Sequence, residues 1–203
     1  MQMLSRMVQL LKNLFLRVNS IYVLLYLPFS IAVYSPYWYL INTKQYSPSR
    51  HGVVQEAIQN ITDYFMHLGK LHSHIWSSKE ILHFQEIRGI YDALFVMLCI
   101  SLVICLVFVR KSTLQAVTSI RALYCYGLFI AITTTLIVTS FKPIWSFLHK
   151  VSFNNNYYIY TKHDMSAVLF PHAFFQNSIM LILFSFIVCL LLIRLVLRFI
   201  DNK

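Results

Sequence analysis

Of the 203 residues, 58% are hydrophobic and 12% charged, about half the charged share of a water-soluble domain, and mean hydropathy is +0.63. The apolar residues fall in blocks rather than at a fixed period, which argues against a large water-soluble core and for one all-α integral membrane domain over residues 1–203. The net charge of +10 shows no basic stripe interleaved with aromatics, so it points to phospholipid headgroups and not to nucleic acid.

Four stretches, residues 18–41, 90–109, 122–139 and 175–200, can each cross about 30 Å of hydrocarbon as a helix. Arg6, Lys12 and Arg17 precede the first, which is too long and aromatic for a cleaved signal peptide and is expected to be a retained anchor. In residues 42–89, Lys44, Arg50, Lys70, Lys79 and Arg88 mix with Glu56, Asp63, Glu80 and Glu86. Ser47 before Pro48 is a helix-start signal. Val53, Val54, Ala57, Ile58, Ile61, Tyr64, Phe65 and Leu68 form an apolar stripe, with Gln55, Gln59, Asn60 and Asp63 largely opposite. Such a helix is expected to lie on the membrane surface or over the mouths of the spans. His72 and His74 flank Ser73 in a predicted turn, but no third metal ligand stands at a recognisable spacing and HEXXH is absent.

Ser77 and Glu80 have capping-box spacing, and the helix they begin is expected to run into the second span, with Gly89 its one weak point. On it His83 shares a face with Glu80 and Glu86, and Glu86 can hydrogen-bond one of its ring nitrogens. Asp92, at the start of the span, is either an interfacial group or a partner for Arg88. Arg110, Lys111 and Arg121 occupy the short connector before the third span, with no acid among them.

Residues 140–174 open with Pro143, expected to interrupt any helix, and with Trp145, Phe147 and His149, an aromatic-belt composition. Asn154, Asn155, Asn156, Tyr157, Tyr158 and Tyr160 lead to His163 and Asp164, which can cap a short helix before Pro171 opens the last one. Arg194 and Arg198 can snorkel from the end of that helix. The charge asymmetry predicts cytoplasmic termini and a cytoplasmic 110–121 connector, leaving residues 42–89 and 140–174 outside and His83 and His149 on one face.

Cys99, Cys105, Cys125 and Cys189 all lie in spans and read as packing residues. GXSXG and SXXK are absent, and glycine is too scarce for a phosphate-cradling loop. A lone interfacial histidine is usually a polar tip on a wet surface, which is the reading for His51, His67, His163 and His172. Two histidines flanking spans on one face weaken that reading for His83 and His149.

LHFQEI at 82–87, FKPIWSFLHKVSF at 141–153 and KHDMSAVLFPHAFF at 162–175 resemble, in order and in position relative to the spans, the motifs of the bacterial lipoprotein intramolecular transacylases. Phe84 and Glu86 stand where that family's pattern has methionine and aspartate, and Tyr157 or Tyr158 where it has tryptophan. The resemblance implies transfer of the sn-2 acyl chain of a lipoprotein's diacylglyceryl-cysteine to the cysteine α-amine, at the outer face of the plasma membrane. It implies His83 and His149 as the catalytic pair, Glu86 and Asp164 in support, and neither cofactor nor metal. One histidine would take the amine proton and the other serve the oxyanion or departing oxygen, with the roles open. Two other readings stand beside it: a metal-dependent membrane hydrolase built on the outer histidines, and a non-enzymatic subunit docking through residues 53–68.

Overall fold

The computed structural model describes residues 2–43 and 51–202; Lys44, Ser47, Pro48 and Arg50 lie outside the described residues. The described chain is helical, without strands: α1 Gln2–Tyr34, α2 Pro36–Thr43, α3 His51–Phe65, α4 Ser78–Phe108, α5 Lys111–Val117, α6 Ile120–Ser152, α7 Met165–Leu169 and α8 His172–Asp201. Helices α1, α4, α6 and α8 are long and apolar enough to cross a membrane. At 1.5 Å per residue each is roughly 45–50 Å long, more than a ~30 Å hydrocarbon core takes up. Their outward side chains are apolar and open, Leu106 at 84% and Phe184 at 72% exposure, a surface that requires lipid.

Two prolines shape the long helices. The first span does not run on to residue 41: α1 ends at Tyr34, and α2 begins at Pro36. Proline disfavours helical geometry in the residue before it and is well suited to a first helical position, so Ser35 becomes the joint. Pro143 interrupts α6 as expected but does not end it. It cannot donate to the carbonyl one turn back, and the backbone departs from helical geometry at Ser140 (φ −137°, ψ 28°) before the helix resumes through to Ser152. His149 therefore rides on a kinked helix, not on a loop. Gly89 likewise sits inside α4 without breaking it.

The chain forms two compact units. One comprises Met1–Pro28, Leu94–Thr133 and Ile182–Lys203. Its small core is Val117, Phe186 and Leu190, with Ile21, Leu24 and Tyr126 against it. Polar ties hold it together: Ser101 Oγ donates to Asn19 Oδ1 (2.9 Å), Tyr22 donates to the Leu94 carbonyl (2.7 Å), and Lys111 pairs with Asp201.

The other unit comprises Phe29–Ala93 and Thr134–Leu181. Its core gathers Val54, Ala57, Ile58, Ile61, Tyr64 and Phe65 of α3 with Tyr39, Trp76, Phe84, Leu169 and Phe174. The apolar stripe of α3 is thus turned inward and covered; only Val53 and Leu68 at its edges are exposed. That removes it as a free docking face. Asn60 is also buried, contrary to its expected place on the polar side. Its Oδ1 accepts from Trp76 Nε1 (2.8 Å) and the His72 N–H (3.1 Å), and its Nδ2 donates to the Lys70 carbonyl (2.9 Å), pinning the 70–76 turn to α3.

Helix α3 closes with His67 in the left-handed region (φ 61°), its N–H on the Tyr64 carbonyl and the Leu68 N–H on the Asp63 carbonyl. His67 is not a free surface imidazole. Nε2 lies 2.8 Å from Asp92 Oδ1, and Nδ1 meets the Arg88 guanidinium. Arg88 can only donate, so Nδ1 accepts and Nε2–H faces Asp92. The acid's partner is therefore His67, with Arg88 on the far side of the ring.

Candidate active site

The site grows from the start of α4. Glu80 is 1% exposed. Its Oε2 accepts from both the N–H and the hydroxyl of Ser77 (2.8 Å each), and its Oε1 accepts from the N–H (2.8 Å) and hydroxyl (2.6 Å) of Ser166. Only half of the expected capping box forms, because the Ser77 hydroxyl turns to the carboxylate. One carboxylate instead receives exposed N–H groups from the starts of both α4 and α7. Asp164 stands at the N-cap position of α7 without capping it through its side chain. Its Oδ2 faces back to the Thr161 N–H (2.5 Å), the Thr161 hydroxyl (2.9 Å) and Lys79 Nζ (3.0 Å). Burial pushes the Asp164 carboxyl up, but the Thr161 donors and Lys79 outweigh it, and the group ends below the usual carboxylate range.

One turn beyond Glu80 comes His83, 1% exposed, and one turn further Glu86. His83 Nδ1 lies 3.5 Å from Glu86 Oε2, within ion-pair reach, and neither atom has a hydrogen-bond partner among the described residues. Glu86 Oε1 accepts from Asn155 Nδ2 at 2.6 Å, while Asn155 Oδ1 accepts the Tyr157 N–H at 3.0 Å. Lys79 also donates to the Ile159 carbonyl (2.8 Å). The first turns of α4 thereby fix the 155–166 segment at several points around His83.

The post-kink part of α6 delivers His149. Its ring centroid is 6.0 Å from that of His83. Phe153 lies against both rings, at 4.7 Å from His83 and 5.6 Å from His149; Tyr158 also flanks both, at 6.4 and 4.8 Å. Trp145, one turn back on α6, packs edge-on to His149 at 4.7 Å, and Tyr160 stands 6.0 Å from His83. Burial raises the Tyr160 phenol well above its ordinary value, so it remains a neutral hydroxyl.

The tautomers follow from the partners. His149 Nδ1 is 2.9 Å from the Trp145 carbonyl, which can only accept, so Nδ1 carries the proton and Nε2 the lone pair. A carboxylate facing Nδ1 of His83 selects the same arrangement there. The result is two imidazoles side by side in an aromatic enclosure, His149 with Nδ1 bonded to a carbonyl and His83 with Nδ1 facing a carboxylate, spaced to address one small polar group.

Of the residues singled out from sequence, the structure brings together His83, His149 and Glu86, and places Asp164 in a clamp with Lys79. Sequence reasoning missed Asn155, Phe153 and Lys79, whose roles depend on partners far along the chain. Ser166 was read only as part of the run Asp164 would cap. The groups that can hold a metal ion among the described residues, Glu56, His72 and His74, include neither ring of the pair.

A family model for the lipoprotein intramolecular transacylase Lit matches residues 12–175. No curated protein matches the chain. Among solved structures it is similar to the membrane-integral lipoprotein intramolecular transacylase Lit of Bacillus cereus, at 16% identity and TM-score 0.73 over 98% of each chain. Two variants of that protein with one histidine replaced, by alanine and by arginine, match with TM-scores of 0.68 and 0.67 at 16% and 17% identity, over the whole of this chain and 97% and 96% of theirs. The fold is thus that of a membrane-integral transacylase, and with a family model covering most of its length the chain belongs to the lipoprotein intramolecular transacylases, a family of acyltransferases.

Proposed function

We propose that this acyltransferase moves the sn-2 acyl chain of a diacylglyceryl-modified bacterial lipoprotein onto the α-amine of the same N-terminal cysteine, leaving an N-acyl, lyso-form product. The observation that carries the reading is the 6.0 Å approach of two half-committed imidazoles within one aromatic enclosure. The neutral amine attacks the ester carbonyl carbon, giving a tetrahedral intermediate with a positive nitrogen and an oxyanion. A free α-amine has a pKa of about 7.7–8.0, so a fair share is already unprotonated near neutral pH.

His83 acts as the base. Its Nε2 takes the nitrogen's proton, and the imidazolium so formed lies against the Glu86 carboxylate. His149 Nε2 then receives this proton from the neighbouring ring and delivers it to the departing glycerol oxygen as the C–O bond breaks. The amine proton thus ends on the sn-2 hydroxyl, an amide replaces the ester, and both rings return to their neutral state. No acyl-enzyme forms. Amine and ester belong to one molecule, so the aromatic walls contribute by holding the medium-sized ring through which attack must pass. The site opens to the extracytoplasmic leaflet, where such lipoproteins carry their lipid.

Mass spectrometry of a diacylated lipopeptide incubated with purified protein tests this reading. His83→Ala and His149→Ala should each lower lyso-form production by about 10²–10⁴-fold. Normal production by either variant removes that ring from the chemistry.

A further inference from the structure

Away from the histidine pair, α3 and the turn that follows it converge on a second cluster. Glu56 from α3 and His72 and His74 from the turn each bring one ligand atom within 4.8 Å of the other two, and all three are exposed. His74 Nε2 already lies 3.0 Å from Glu56 Oε1, and the two imidazole rings stack at 5.3 Å with 23° between their planes.

The scaffold beneath is rigid for a structural reason. Asn60, one turn on from Glu56 along α3, is buried and holds the turn at Lys70, His72 and Trp76. The Ile75 and Trp76 N–H groups both return to the His72 carbonyl (3.0 Å each). Backbone positions for all three ligands are therefore set by contacts that involve none of their side chains. Only side-chain torsions need adjust.

Two imidazoles and one carboxylate form a donor set suited to zinc and neighbouring late first-row divalent cations, not to calcium or magnesium, which prefer all-oxygen shells. With bonds of about 2.0–2.1 Å, tetrahedral zinc sets its ligand atoms roughly 3.3–3.4 Å apart. The Glu56–His74 pair is near that spacing, and His72, within 4.8 Å of both, must close by at most about 1.5 Å. In the ion-free protein the Glu56 carboxylate accepts from His74 Nε2–H; a ligating Nε2 gives up that proton, which moves to Nδ1 or to solvent.

We propose that Glu56, His72 and His74 form a surface site for one zinc-class divalent cation, three protein ligands with the fourth position taken by water, which braces α3 against the 70–76 turn. The ion stabilises this part of the protein and takes no part in acyl transfer. The site was invisible as a triad in sequence because its third ligand comes from the preceding helix.

The test uses the full chain in detergent with any polyhistidine tag removed. Zinc is titrated against a chromophoric chelator, with calcium and magnesium as controls. One equivalent of zinc should bind per chain, with a rise in Tm, and neither control ion should compete. Glu56→Gln, His72→Gln and His74→Gln should each weaken binding at least tenfold and abolish the Tm rise, while leaving ion-free Tm and lipopeptide turnover near those of the unaltered protein. Glu56→Gln keeps the turn's own residues, so it serves should a histidine variant fold poorly. Absence of stoichiometric zinc, or binding and Tm rise that survive both Glu56→Gln and His74→Gln, overturns the proposal. Neither outcome bears on His83 and His149, whose test is lipopeptide turnover without added zinc.

Discussion

At the scale of single residues, Glu86 separates positioning from chemistry. It faces His83 Nδ1 through one oxygen and holds Asn155 through the other, so it fixes both the ring's tautomer and part of the enclosure. Glu86→Gln keeps the shape and can still accept from Asn155, but offers no charge to an imidazolium. It should lower kcat about tenfold with KM little changed, while Glu86→Asp, which retains the charge at shorter reach, should recover part of the loss. A KM effect alone would mean that Glu86 shapes the substrate cleft and leaves His83 untouched. The His83–Glu86 relation was legible in the sequence because it spans a single helical turn. Asn155 and Ser166 were not, standing 69 and 86 residues from their carboxylates. His67 failed for the same reason: nothing local tells that its ring lies between Arg88 and Asp92.

At the scale of elements, the starts of α4 and α7 share one acceptor, and this joint sets where the 155–166 segment lies. Removing the Glu80 carboxylate leaves backbone donors of both helices without partners in a buried place, at about 1–3 kcal/mol for each group. Glu80→Ala should therefore cost roughly 3 kcal/mol and lower Tm by several degrees, with turnover lost in step with the misplaced segment; an unchanged Tm would dismiss the shared cap. The Asp164 clamp adds a pH signature. Its carboxyl lies lower in the folded protein than in an unfolded chain, so its contribution is fully present above the unfolded value of about 3.9 and disappears as pH falls through the lower folded value. The Tm difference between unaltered protein and Asp164→Asn should be constant from neutral pH down to about 4 and shrink in stronger acid; a gap insensitive to acid would locate the effect elsewhere. Hydropathy showed four helices but not their ends. A proline acts through the hydrogen bond it removes, and whether a helix then stops, as at Ser35, or bends, as at Ser140, is settled by packing that periodicity does not record.

At the scale of the whole molecule, the charges on the connectors bear on which side of the membrane the chemistry occurs. Arg110 and Lys111 lie on the α4–α6 connector and Arg121 at the start of α6, with Arg6, Lys12 and Arg17 along α1, whereas residues 51–89 and 140–174 carry charges of both signs. Positive charge resists translocation, so the proposed topology keeps the α4–α6 connector in the cytoplasm and puts the histidine pair outside. With Cys99, Cys105, Cys125 and Cys189 replaced by alanine, single cysteines introduced at Asn156 and Ser112, both exposed, report the two sides. A membrane-impermeant maleimide should label Asn156→Cys in intact cells and Ser112→Cys only after permeabilisation. The reverse pattern would carry the aromatic enclosure into the cytoplasm, away from the leaflet in which diacylglyceryl-cysteine is displayed. The imidazole geometry would then stand without the proposed substrate, since a pair of rings 6.0 Å apart can serve other acyl transfers but cannot reach an ester across a bilayer.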